Sequence, residues 1–125
     1  DLPVWICHGA DADAQLVRTW EGLGARLLPC AVSGGQLDPH AVLQALGREG
    51  ITRVFCEGGG ALAASLLAAD LVDVLVGMTA GVALGAEGRP VFGALGLDRL
   101  EDAPRFRLVE TRPVGADVLH VWEKP

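Results

Sequence analysis

The chain has 125 residues and a formal net charge of −6, with 50% hydrophobic and 21% charged side chains. That length and mix suit one globular α/β domain burying roughly two-thirds of its unfolded surface, and they exclude a disordered chain. One Lys among ten basic residues argues against nucleic acid or an anionic membrane as main partner, but leaves room for a small phosphorylated ligand that needs only local complementarity.

Strands and helices alternate through the first half. Residues 4–8 read as a strand that the opening D-L-P-V-W-I-C enters directly, with no signal-peptide pattern. Over 13–23 a helix places Leu16, Val17, Trp20 and Leu23 on one face, with Asp11 and Asp13 as capping acids and Gly24 as its stop. Residues 26–32 form the next predicted strand, followed by a Ser33-Gly34-Gly35 loop. Asp38-Pro39 supplies an N-cap and a first-turn proline for a helix carrying Val42, Leu43 and Leu46 and ending at Gly50.

The third unit is the most informative. Val54, Phe55 and Cys56 read as a buried parallel strand within 52–57, closing on Glu57, three glycines at 58–60 and an Ala- and Leu-rich helix over 61–69. Glycines let the backbone approach a ligand closely, and a helix N-terminus offers unpaired N–H groups and partial positive charge to a phosphate. No acid or base lies between residues 58 and 69, so an anion there would be held by the backbone. The motif is neither G-x-G-x-x-G nor a P-loop, and two readings stay open: a phosphate cradle, or a tight packing turn. Glu57, at the strand's C-terminal end, is either a carboxylate for ligand hydroxyl or amine groups or an acid placed for the helix dipole.

Residues 71–84 contain a long strand, and 85–104 are Gly- and Pro-rich and predict loop and short turns. Alternation at 106–109, turn chemistry at Pro113, Gly115 and Asp117, and a strand over 118–122 predict a C-terminal antiparallel hairpin. The fold class is therefore α/β, a mixed sheet with parallel strands and helical crossovers first and an antiparallel end.

The remaining residues form no catalytic constellation. His8 ends a strand as a hydrogen-bonded loop residue, His40 lies in a helix's first turn, and His120 packs beside Val118 and Trp122. Ser65 has no nucleophile elbow, and Glu101 and Asp102 read as solvated loop charges. Cys7, Cys30 and Cys56 read as buried free thiols of a reducing cytosol, with no metal site, which makes the expected compartment cytoplasmic. The longest apolar stretch, 74–86, is shorter than the roughly 18 residues of a membrane span and is broken by Gly77, Thr79, Gly81 and Gly85.

The blocks V-F-C-E-G-G-G-A-L-A-A-S-L-L-A-A-D-L-V-D-V-L, L-G-A-E-G-R-P-V-F-G and L-D-R-L-E-D-A-P, in that order, closely resemble the reductase domain of the bifunctional riboflavin-biosynthesis deaminase–reductase. The resemblance is good over 52–122 and looser over 4–50. It implies a dihydrofolate-reductase-like fold and reduction of 5-amino-6-(5-phosphoribosylamino)uracil to its ribitylamino product with NADPH, in a homodimer. Residue by residue, it implies that Glu57 contacts substrate and that Gly59, Gly60, Ala61, Leu62, Ala63, Ala64 and Ser65 line the NADPH phosphates. It also implies a cis bond at Gly58-Gly59 or Gly59-Gly60. Domains of this family run to roughly twice this length. The expectation is a single partial reductase domain over 1–125, inactive alone, without the deaminase domain or the first half of the reductase. The alternatives are a non-catalytic nucleotide-binding or assembly module of the same fold, and a related folate or pyrimidine reductase.

Overall fold

A computed structural model describes residues 2–125. It divides after Phe55 into two compact units.

In the first unit, β1 (Trp5–His8) lies parallel to β2 (Arg26–Pro29) in the register Trp5↔Arg26 to His8↔Pro29, and α1 (Ala14–Gly22) makes the crossover. α1 starts where the Asp13 carboxylate accepts hydrogen bonds from the Gln15 and Leu16 N–H groups at 2.6 and 3.2 Å. It stops before Gly24, whose φ of +85° a side chain would resist. α2 (Pro39–Arg48) repeats this logic: Asp38 accepts from the His40 N–H at 2.9 Å, Pro39 opens the first turn, and Gly50 follows its end at φ +87°. Leu28, Cys30 and Ala45 form the buried centre, with Trp5, Cys7, Leu37, Ala41, Val42 and Leu46 packed around them. The Arg26 guanidinium lies 5.1 Å from the Trp5 ring centroid and also pairs with Glu49 just past α2.

The predicted Ser33-Gly34-Gly35 loop is a tight hairpin between β3 (Val32–Ser33) and β4 (Gln36–Leu37). Gly34 and Gly35 both take positive φ, as a two-residue turn matched to strand twist requires.

The second unit contains α3 (Gly60–Ala68) and a three-stranded antiparallel sheet of β5 (Val74–Thr79), β6 (Arg107–Val114) and β7 (Asp117–Glu123), ordered β5-β7-β6. The C-terminal hairpin is therefore present, with Gly115 at φ +62° in its turn and a bulge between Leu108 and Glu110. Side chains alternate across a strand, so the register sorts the sheet into two faces. One carries Val74, Val76, Met78, Leu119 and Val121 with the ion pairs Arg107–Glu123 and Arg112–Glu110; the other carries Leu75, Gly77, Thr79, Val118, His120, Trp122, Leu108 and Thr111. Between β5 and β6 the chain is irregular apart from two short 3₁₀ turns, Gly85–Glu87 and Leu100–Asp102.

Asp70 follows α3 at φ +59°, where a carboxylate faces the negative end of the helix dipole. Lys124 offsets that charge: its Nζ lies 2.7 Å from Asp70 Oδ2 and donates to the Asp70 carbonyl at 3.1 Å, while its backbone N–H donates to Asp73 O at 2.8 Å.

Several expectations are corrected. Residues 52–57 carry no strand ladder, and Val54 and Phe55 are 50% and 76% exposed. An apolar run becomes a buried strand only when neighbouring strands take its backbone groups, and no such neighbour lies among the described residues. For the same reason Cys56 is exposed, whereas Cys30 is buried and Cys7 half-buried. The strand expected within 71–84 is confined to Val74–Thr79, where β7 pairs with it. The parallel part of the sheet reduces to the β1–β2 pair. No cis peptide bond occurs among the described residues: Gly59 joins its neighbours through trans bonds, in extended backbone at φ −66° and ψ 171°.

Candidate functional site

The three helices differ at their N-termini. α1 and α2 have theirs closed by Asp13 and Asp38, whose carboxylates occupy the space an external anion would need. α3 begins at Gly59 with no side-chain cap, and no acidic residue lies in its first turn. Its leading N–H groups are therefore the ones left for a ligand.

Gly58, Gly59, Ala61 and Leu62 are exposed. A Cβ built on Gly59 meets nothing within 4 Å, whereas one on Gly58 would lie 2.5 Å from Leu62 Cδ2. Gly60 is closed in by the segment 91–93. Its carbonyl accepts from the Gly93 N–H at 2.9 Å, and a Cβ on it would sit 2.8 Å from the Val91 carbonyl oxygen. A Cβ on Gly93 would find ordinary contact with Gly60, Ala61 and Ala64. The glycine at 60 is what lets the two backbones touch, and G-R-P-V-F-G anchors across the first turn of α3. This docking was missed from sequence; its one signal was the glycine closing that block.

The other expected cofactor residues take distinct positions. Ala63 is half-buried and Ala64 is 6% exposed, facing the interior with Leu67. The Ser65 hydroxyl donates to the Ala61 carbonyl at 3.0 Å, so it is engaged within the helix. Glu57 is exposed immediately before the turn, and none of the ion pairs among the described residues uses it. The arrangement can take an anion at the α3 start and a hydrogen-bond donor at Glu57, three residues upstream along the same backbone.

Elsewhere, Asp13 is a cap as expected, but Asp11 is not: its Oδ1 lies where a Cβ on Gly9 would come within 2.5 Å. His8 Nδ1 lies 3.0 Å from the Gly9 carbonyl oxygen. Cys7 packs against the Leu28–Cys30 centre, and burial first, then the neighbouring Cys30, pushes its thiol above the ordinary cysteine range. Among the described residues no helix is long and apolar enough to cross a membrane.

Solved structures place this arrangement in a fold class. A pyrimidine reductase-like protein from Corynebacterium diphtheriae superposes on 95% of the chain with a TM-score of 0.76 at 16% identity, the chain covering 49% of it. Acinetobacter baumannii RibD superposes on 86% with a TM-score of 0.71 at 21% identity, the chain covering 29%. These define a dihydrofolate-reductase-like α/β fold. The chain belongs to the RibD C-terminal domain family, whose model matches residues 1–120. It is 41% identical over 88 residues to the riboflavin biosynthesis protein RibD of Escherichia coli, matching 70% of this chain and 24% of that protein. It is 33% identical over 85 residues to the 2,5-diamino-6-ribosylamino-4(3H)-pyrimidinone 5′-phosphate reductase of Methanothermobacter thermautotrophicus, matching 67% of this chain and 39% of that one. The chain thus spans between about a quarter and two-fifths of these two curated relatives.

Proposed function

We propose that this chain supplies one edge of the cleft of an NADPH-dependent reductase of riboflavin biosynthesis, acting on 5-amino-6-(5-phosphoribosylamino)uracil in the cytoplasm. Membership of the RibD C-terminal family and the likeness to a ribosylamino-pyrimidinone phosphate reductase support the reaction class. The single observation that carries the site is the uncapped start of α3, in a chain whose α1 and α2 starts are closed by aspartate.

NADPH fits this position chemically. Phosphate oxygens accept hydrogen bonds, the α3 N–H groups donate them, no carboxylate lies in the first turn of α3, and Gly59 leaves open space for close approach. The chemistry such a cofactor would supply is a hydride for the ribosyl carbon. The chain's own residues would bind and orient: the backbone at Gly59, Gly60, Ala61 and Leu62 would hold phosphate, and Glu57 would accept from substrate hydroxyl or amine groups. Ala63, Ala64 and Ser65 support this seat by fixing the first turns of the helix. Orientation of this kind contributes to a bimolecular transfer by holding donor and acceptor in reacting geometry.

NADPH titration of the chain, followed by the cofactor's fluorescence, tests the seat. Gly59→Leu projects into open space and Gly59→Asp installs the cap that α1 and α2 already have, so neither replacement crowds the fold. Both are expected to weaken NADPH at least tenfold; equal affinity in all three proteins would overturn the assignment.

A second reading, an assembly module of the same fold, is favoured by the exposed apolar residues Val54 and Phe55. Sedimentation equilibrium separates the two: self-association with no NADPH binding favours the module, and NADPH binding by a monomer or a homodimer favours the reductase.

A further inference from the structure

On the face of the second-unit sheet that lacks ion pairs, His120 is engaged at both ring nitrogens. The Trp122 indole Nε1–H donates to His120 Nδ1 at 2.8 Å, and His120 Nε2 lies 3.1 Å from Thr79 Oγ1. The two rings meet edge to face with centroids 6.0 Å apart. Opposite His120 in the register stands Gly77, and any Cβ there would collide with the imidazole. The imidazole occupies the space that a side chain at residue 77 would take.

The indole N–H is a donor only, so the nitrogen it meets must offer a lone pair. His120 is thereby held neutral, its proton on Nε2 and donated to Thr79. We infer that His120 is a pH-operated latch on Trp122: the neutral imidazole holds the indole, and protonation at Nδ1 releases it. A proton on Nδ1 sets two N–H donors against each other across a 2.8 Å contact, so one ring must turn away.

Within the paired strands, on this face β5 presents Leu75, Gly77 and Thr79 and β6 presents Leu108, Thr111 and Pro113, none of them ionisable. Arg107, Glu110, Arg112 and Glu123 lie on the opposite face, and the charges that flank the strand ends on this side are Asp73 and Lys124, the latter paired with Asp70.

Proton–nitrogen NMR of the 125-residue chain resolves the three indole N–H groups and the imidazole nitrogens separately. In the wild type His120 is expected to carry its proton on Nε2 at about pH 8, and the Trp122 indole resonance to move or broaden on lowering the pH to about 5. In His120→Gln the Trp122 resonance should be independent of pH over that range. A proton on Nδ1 at the higher pH, a wild-type Trp122 resonance that does not respond, or the same response persisting in His120→Gln would each overturn the latch. The wild-type measurements decide the matter even if the variant does not fold.

Discussion

The first unit and the second answer the same problem, how to end a helix, in opposite ways. In residues 1–55 both helices begin on an aspartate whose carboxylate satisfies their first N–H groups, and their partners gather around Leu28, Cys30 and Ala45. In residues 56–125 the one α-helix begins on a bare glycine, and a loop backbone closes over its next residue instead of a carboxylate. Closed ends belong to a scaffold. The open end, next to the exposed acid at Glu57, is the seat proposed for the ligand.

Truncation should break the comparison most strongly in the first core. Leu28 is 6% exposed at the centre of its cluster, so Leu28→Ala should cost about 2–5 kcal/mol in denaturant unfolding. By contrast Met78→Ala, at a side chain 58% exposed on the second sheet, should stay within about 0.5 kcal/mol. Equal losses would remove the distinction between a packed unit and an open one.

The glycine turn should show the next largest effect, and it should divide between adjacent residues. Gly60→Ala drives a methyl into the Val91 carbonyl and should destabilise by about 1–3 kcal/mol, while Gly59→Ala meets nothing and should be nearly neutral. Thermal unfolding of the pair tests whether segment 91–93 docks on α3 as described.

Exchanging the caps sharpens the contrast further. Asp13→Ala and Asp38→Ala should each cost about 1 kcal/mol. Gly59→Asp should hold or raise stability by a few tenths of a kcal/mol, because the open helix end then resembles the other two. A helix end that gains stability from a cap while losing NADPH would separate folding from binding at one residue.

The smallest effect concerns Cys7. Its thiol is held above the ordinary range by burial and by Cys30, so the folded state keeps a proton that the unfolded chain releases. Its contribution is therefore complete below about pH 8.5 and is lost as pH rises through the higher folded value, a slope that Cys7→Ala should remove from urea unfolding curves. Alkylation at pH 8 should modify exposed Cys56 well before Cys7.

Much of this was legible in the residues because it depends on neighbours along the chain. Asp13, Asp38 and Pro39 mark helix starts, Gly24 and Gly50 mark stops, and Gly115 marks the last hairpin, each through backbone preferences that act within a few residues. The charge-free first turn of α3 was equally plain. What could not be read was long-range pairing. V-F-C looks like any buried strand, and only a neighbouring strand could make it one. The β5-β7-β6 order is non-local, and the Gly93–Gly60 and His120–Thr79 contacts join residues 33 and 41 positions apart, so no local propensity encodes them.

By itself, then, the sequence determined where helices begin and end, which helix start stays bare, and which family the chain belongs to. Those follow from local sterics, capping chemistry and motif order. Tertiary structure alone decided that Gly60 is walled in while Gly59 stands open, and that His120 reaches Thr79 across the sheet. Both follow from atoms brought within van der Waals or hydrogen-bond reach by packing, at separations a linear pattern does not carry.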